Sequence, residues 1–407
     1  MAAKTNLLST TMAGRAVDAA MPGLSLSPAL ELWEANRAHA QGNPGAYEWW
    51  RVEAINERGD GILLLLFNGM PFHPGYLARV SRAGRRAGAG KGDSEKVQAS
   101  GYPAAYMAVY AGHRRVAEFL NAYPPGSMEA ATQGMEVRVG PNRLTMRPDG
   151  SIGIEARGYP FTMRAGRASH KRSRQLTATL TLVPTFAGVQ QVRRFRPASR
   201  DGAGHMWIVA APHCRAEGSV QLIGRGEATA MLDQTISCAG YHDHMMGQGV
   251  LGQDLRRCVW AHALGEDFAI VWQRTMLANN TCAPTDGLML FQRGRDAVII
   301  ESPEIVTEQY RRTRPWLLKY PRHVLVHGSD TQGNPAELVA EHALVDASPF
   351  HWRLRGTATL TIPGRGRFVG SGSATGVMMG RLKWPLLAST VIDAILPVAA
   401  NDPLWRG

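Results

Sequence analysis

The segment Tyr241-His242-Asp243-His244 is the densest cluster of ionisable and hydrogen-bonding side chains in the chain. On a strand, alternate side chains share a face, so Tyr241 and Asp243 point one way and His242 and His244 the other. One pair then faces the interior of whatever barrel the strand belongs to. His205 and Trp207, in Gly204-His205-Met206-Trp207, share a face by the same rule and bring the inward residues to four. Two histidines at i and i+2 can chelate zinc, but no HExxH or cysteine-bearing motif supplies a third ligand, and no metal ligand is assigned. The plain alternative is a polar turn with hydrogen-bonded histidines. The third reading is acid–base chemistry: a carboxyl group in an apolar barrel has its charged form disfavoured, so it holds a proton near neutral pH. Asp243 is the candidate acid. Tyr241 or His205 would orient it or position a water, and Trp207 would stabilise a developing carbocation through its π face. Trp49, Trp50 and Trp260, with His242 and His244, are the candidates for substrate contact, although the wide spread of tryptophans fits barrel cores equally well.

These residues need strands to hold them. The chain has 407 residues, of which 44% are apolar and 19% charged, with 44 Gly and 24 Pro. That is too apolar for a disordered chain, and its density of turn formers suits many short strands. Tyr47–Ile55 and Ile62–Phe67 flank Glu57-Arg58-Gly59-Asp60-Gly61, a hairpin signal. Turn clusters at Gly140-Pro141-Asn142 and Pro148-Asp149-Gly150 separate short strands, and Gln175–Leu182 alternates strictly. The second half repeats the pattern at Val259–Leu264, Phe268–Arg274, Leu288–Gln292, Ala297–Glu301, His323–His327 and Thr357–Ile362. The expectation is a mostly β protein of two consecutive antiparallel barrels, with a short N-terminal helix and a C-terminal amphipathic helix. The boundaries are an extension over 1–40, a first barrel over 41–205, a second over 206–380 and a helix with tail over 381–407. Ser27-Pro28 starts the first helix. Trp384, Leu387, Ala388, Val391, Ile392 and Ile395 mark the second, packed on a barrel wall or touching a membrane surface.

The formal charge is +12, yet the densest basic segment, Arg79 to Lys96, lacks interleaved aromatics. It reads as a solvated loop rather than a nucleic-acid platform, with attraction to an anionic membrane a secondary possibility. No run reaches the ~18 apolar residues of a membrane span, and no secretory signal is read, so the expected location is cytoplasmic, with peripheral membrane contact open. Cys214, Cys238, Cys258 and Cys282 show no CxxC spacing and read as free thiols. Gly364-Arg365-Gly366-Arg367 and Gly370-Ser371-Gly372-Ser373 match no phosphate-cradling loop, and no GxSxG elbow is present.

Tyr47-Glu48-Trp49-Trp50-Arg51-Val52-Glu53-Ala54, the Gly-Asp-Gly turn and Leu64-Leu65-Leu66-Phe67-Asn68-Gly69-Met70-Pro71-Phe72 resemble the opening barrel of the carotenoid 1,2-hydratase (hydroxyneurosporene synthase) family, related to AttH-like lipocalin proteins. His205-x-Trp207 and Tyr241-His242-Asp243 sit where that family carries its proposed active-site residues. The resemblance implies two lipocalin-like barrels and cofactor-independent addition of water to an isolated C=C bond of a long hydrophobic isoprenoid or polyene. Asp243 would protonate the alkene, Trp207 would face the cation, and water held by His205 or Tyr241 would capture it. The scaffold is also similar to tocopherol cyclases and pericyclase-type lipocalin enzymes, and a non-catalytic carrier of an apolar ligand is the alternative from another class.

Overall fold

The computed structural model describes residues 43–88, 97–131, 136–164, 166–186, 192–195, 205–224, 230–278 and 285–406. The helix expected after Ser27 and Cys282 lie outside them. Strands β1 (Tyr47–Ile55), β2 (Gly61–Asn68), β3 (Ala104–Ala111), β4 (Arg114–Ala122), β5 (Met128–Ala130), β6 (Glu136–Val139), β7 (Asn142–Met146) and β8 (Ile152–Gly158) build the first sheet. A separate hairpin, β9 (Phe161–Arg164) and β10 (Arg167–His170), follows. The sheet resumes with β11 (Arg174–Pro184), β12 (Val192–Phe195), β13 (His205–Gly224) and β14 (Leu232–Gly247). The closed barrel uses β15 (Leu255–Leu264), β16 (Phe268–Leu277), β17 (Thr285–Gln292) and β18 (Val298–Glu308). After a small pair, β19 (Arg311–Arg312) and β20 (Lys319–Tyr320), it continues through β21 (His323–Asp330), β22 (Pro335–Ala347), β23 (His351–Ile362) and β24 (Gly366–Met378). The strand β25 (Leu396–Pro397) returns to pair with β4 at the edge of the first sheet.

The expected mostly β fold is present, as a curled 13-stranded sheet followed by a closed eight-stranded barrel. The first hairpin forms as anticipated: Gly59 takes a φ of 82°, the Asp60 N–H donates to Asn56 Oδ1 at 2.9 Å, and Ile55 pairs with Gly61. The expected division at 205/206 falls at the start of β13, inside the first sheet. Both β13 and β14 belong to that sheet, because β14 runs back alongside β1 and pairs with it from Tyr47↔Gly247 to Ala54↔Gly240. The passage to the barrel is the short segment containing helix α2 (Leu251–Asp254).

Helix α1 (Pro74–Gly88) corrects the solvated-loop reading of the basic segment over Arg79–Gly88; the remainder of that segment lies outside the described residues. Tyr76, Val80 and Ala83, at helical spacing, bury against Val97, while Arg79, Arg82 and Arg85 stay exposed. Helix α3 (Pro385–Ala394) begins with proline at its first turn. Its apolar residues are split: Val391 is buried, and Leu386 and Ile392 are exposed, as is Trp384 just before it.

Two faces of the first sheet bury different partners. Trp50, Val52, Leu64, Met107 and Phe119 fill its concave interior. On the opposite face Trp49, Phe67, Tyr241 and Met245 pack with Trp260, Val271 and Val377 from the outer wall of the barrel. The barrel keeps its own interior around Trp272, Leu290, Trp352 and Leu354. Within it Gly356 and Gly372 pair across β23 and β24, and a Cβ on Gly372 would lie 1.8 Å from the His262 carbonyl oxygen. Gly372→Ala is therefore expected to lower stability by about 1–3 kcal/mol through backbone displacement. Urea unfolding should show a lower midpoint at unchanged slope; an unaltered midpoint would show that these strands separate without cost.

Candidate active site between the barrel walls

Register across β1, β14 and β13 decides what meets. Trp49, Arg51 and Glu53 lie opposite Met245, Asp243 and Tyr241, and Trp207 lies opposite Met245. All of these side chains point out of the first sheet towards the barrel wall, so the site lies between two barrel walls and not inside a barrel as expected. Their counterparts on the barrel are Trp260 and His262 of β15, Arg353 and Arg355 of β23, and Thr375 of β24. A cavity of about 230 Å³ opens in this seam, lined among others by Asp243, Trp207, Trp49, Trp260, Phe67 and Arg353.

Asp243 is 2% exposed. Burial raises its carboxyl above the ordinary aspartate range, against the opposing pull of Arg51, the Trp207 indole N–H and the Tyr241 hydroxyl. Arg51 Nη1 is 3.3 Å from Asp243 Oδ2, and its Nη2 is closer to Glu53 Oε2, at 2.8 Å. Glu53 also faces Arg353 Nη2 at 2.6 Å, Arg355 Nη1 at 3.6 Å and His262 Nε2 at 3.8 Å. Burial alone would push Glu53 up, but Arg353 and its neighbours outweigh it and hold the carboxyl well below the usual range. His262 stacks on Tyr241 with centroids 4.3 Å apart and planes at 6°. Burial drops His262 to about 3, so the ring is neutral.

Of the residues singled out in the sequence, Asp243, Trp207, Trp49 and Trp260 line the cavity, and Trp49 meets Trp260 edge to face at 6.1 Å. Tyr241 lies behind the lining, beside Asp243 and under the Arg51 guanidinium, whose carbon is 5.7 Å from its ring. His205 is turned to Tyr47: its Nδ1 and the Tyr47 hydroxyl share a 2.8 Å hydrogen bond, and the rings stack. It is not a lining residue, so direct handling of water is not where the fold places it. Trp50, His242 and His244 are on the other face, away from the cavity, which corrects their reading as substrate contacts. His244 stacks on Trp50 at 4.7 Å and its Nε2 reaches Glu48 Oε1 at 2.9 Å. His242 Nδ1 donates to the Arg51 carbonyl at 2.8 Å, and burial drops its pKa to about 4. Among the described residues no group of three or more His, Cys, Asp or Glu is placed to hold a metal ion. Gly370–Ser373 lies within β24, not ahead of a helix.

Sequence reasoning passed over Arg51, Glu53, Arg353 and Arg355. The first two lie within the quoted Tyr47–Ala54 motif and alternate with Trp49, a period-2 signal that charges share a face with an aromatic. On β23 the same alternation reads equally well as a solvated face.

No protein-family model matches the sequence. A protein named hydroxyneurosporene dehydrogenase from Chlorobaculum tepidum is 23% identical over 345 residues, covering 80% of this chain and 80% of that protein. A crystal structure of an AttH candidate from Nitrosomonas europaea matches with a TM-score of 0.51 at 13% identity, over 87% of this chain and 99% of that one. The chain has an AttH-like fold. Kievitone hydratase from Nectria haematococca gives a TM-score of 0.45 at 11% identity, over 87% of this chain and 98% of that one.

The charges of the seam have two consequences. Glu53→Gln strands Arg51, Arg353 and Arg355 and is expected to cost about 3–5 kcal/mol in urea unfolding; a loss below 1 kcal/mol would show that the seam hydrates. His242, His262, His342 and His351 are all held neutral, with pKa values at about 4, 3, 4 and 4. Below about pH 6.5 the unfolded chain takes up protons that the fold refuses, so stability falls as pH drops. The raised carboxyls of Asp243 and Glu118 act in the opposite sense but are two against four. The urea midpoint should therefore decline from pH 6.5 to 4.5, and a rising midpoint would mean that these histidines are charged in the fold.

Proposed function

We propose that the protein is a cofactor-independent, acid-initiated enzyme that adds water to a C=C bond of a long hydrophobic isoprenoid or polyene. The observation that carries this reading is one carboxyl group, Asp243, buried and raised in its proton affinity at the wall of a cavity lined by Trp49, Trp207 and Trp260. The name of the Chlorobaculum relative, which refers to hydroxyneurosporene, supports a polyene substrate.

The steps balance without a further reactant. Asp243 gives its proton to the less substituted alkene carbon, a tertiary cation forms, and Asp243 is left as carboxylate. Water bonds to the cation and returns a proton to Asp243, so the net change is alkene plus water to tertiary alcohol. Trp207 lines the same cavity, and its π face would stabilise the cation. Its N–H acts on the Asp243 carboxyl, so indole and carboxyl stand together as polar groups in an otherwise apolar wall, where a water molecule finds partners. That feature favours hydration over ring closure, which shares the first proton transfer and differs in what captures the cation.

Incubation with an acyclic carotenoid in heavy-oxygen water should give a labelled tertiary alcohol. Asp243→Asn should cut its formation at least 100-fold with substrate affinity retained, the scale of a lost general acid. A ring-closed product of unchanged mass would replace hydration with cyclisation. Binding without any conversion in the unsubstituted protein would leave an apolar-ligand carrier.

A further inference from the structure

The cavity has a second polar region that the proposed proton transfer does not use. Tyr106, Arg115 and Glu118 line it from the first sheet, and Ser348, His351 and Arg353 from the barrel. Arg115 Nη1 stands 2.9 Å from Glu118 Oε2 and equally 2.9 Å from Asp346 Oδ2. The Tyr106 hydroxyl donates to Glu118 Oε2 at 3.3 Å. Glu118 is 6% exposed.

Strand register places this cluster relative to Asp243. Asp243 pairs with Arg51, Arg51 with Leu65 and Leu65 with Tyr106, one row across β14, β1, β2 and β3. Glu118 is on β4, the next strand, opposite Ala108. At about 4.8 Å per strand, four steps separate Asp243 from Glu118 by about 19 Å along the sheet. Leu63 and Leu65 line the cavity between them. A substrate that reaches both ends is thus long, apolar along its length and polar at one terminus.

Charge narrows that terminus. Arg115 is already shared by two carboxyls, so the three groups together are neutral with Glu118 protonated and carry one negative charge with it ionised. A phosphate or carboxylate would meet there only cations that are already paired, Arg115 with Glu118 and Asp346, and Arg353 with Glu53. Burial raises Glu118 to about 7, with Arg115 pulling the other way, so the group both donates and accepts near neutral pH. A neutral hydroxyl or carbonyl oxygen matches it.

We propose that Glu118, held by Tyr106 and by the Arg115 that Asp346 shares, forms a second subsite that binds the neutral oxygen terminus of an apolar chain whose reacting C=C lies at Asp243. The position of the C=C rests on the acid-catalysis reading above; the oxygen subsite does not. The test compares geranylgeraniol with the 20-carbon hydrocarbon of the same skeleton lacking the hydroxyl, by quenching of tryptophan fluorescence. The unsubstituted protein should bind the alcohol about tenfold more tightly, the scale of one well-made buried hydrogen bond. Glu118→Leu should erase that preference. Glu118→Gln, nearly isosteric and the safer variant for folding, should reduce it about threefold by removing the ionised acceptor. Asp243→Asn should keep the preference and lose conversion.

Equal affinity for the two probes, or a preference that survives unchanged in Glu118→Gln, overturns the subsite. Geranylgeranyl diphosphate binding more tightly than the alcohol overturns the requirement for a neutral terminus. Conversion of both probes with no hydroxyl preference removes this subsite and leaves the acid chemistry standing. A Glu118-dependent preference with no Asp243-dependent conversion does the reverse.

Discussion

Glu53 is the group on which the seam depends. A lone buried carboxylate would cost several kcal/mol in lost hydration, and the compensation comes from both halves of the molecule: Arg51 from its own strand, Arg353 and Arg355 from the barrel. The same contacts regulate the neighbouring acid. Arg51 stands nearer to Glu53 than to Asp243, at 2.8 Å against 3.3 Å. The guanidinium therefore spends much of its field on Glu53, and desolvation prevails at Asp243. Opposite shifts in the two carboxyls, Glu53 down and Asp243 up, follow from unequal shares of the same cations.

The inner face of β14 fixes which residues reach that network. A slip of one residue against β1 would exchange Tyr241 and Asp243 for His242 and His244. Two contacts on the concave side oppose it: the Trp50–His244 stack and the His242 hydrogen bond to the Arg51 carbonyl. Residues that contribute nothing to the cavity wall thus hold the register in which the acid faces it.

The strand grammar, the first hairpin and the alternation around Asp243 were legible because turn residues and period-2 patterns act over a few positions. The long strands β13 and β14 were not assigned to the first sheet, since pairing of β14 with β1 joins segments nearly 200 positions apart. For the same reason Asp243, Trp207, Trp49 and Trp260 were found, while the cations that tune Asp243 were missed. Alternation states that His242 and Asp243 face opposite ways, and it is silent on which way is inward. It also treats a wall buried by another barrel as a solvated wall, so Arg353 on β23 reads as surface and is 1% exposed. Likewise the arginines of α1 concealed the buried stripe of Tyr76, Val80 and Ala83.

The placement of Arg51 bears on the barrier and not only on the resting state. In the proposed reaction Asp243 starts protonated, and in that state it gains little from a guanidinium beside it. The carboxylate left by the proposed proton transfer would be 3.3 Å from Nη1 and flanked by the Tyr241 hydroxyl and the Trp207 N–H, so each interaction would strengthen along that path. The proposed cation would form next to that new carboxylate, which would limit the charge separation in an apolar cavity. A tighter Arg51–Asp243 pair would leave no proton to give, and no Arg51 would leave the conjugate base unsupported. Sharing the guanidinium with Glu53 puts Asp243 between these limits, and it is the barrel's Arg353, by anchoring Glu53, that keeps the sharing in place.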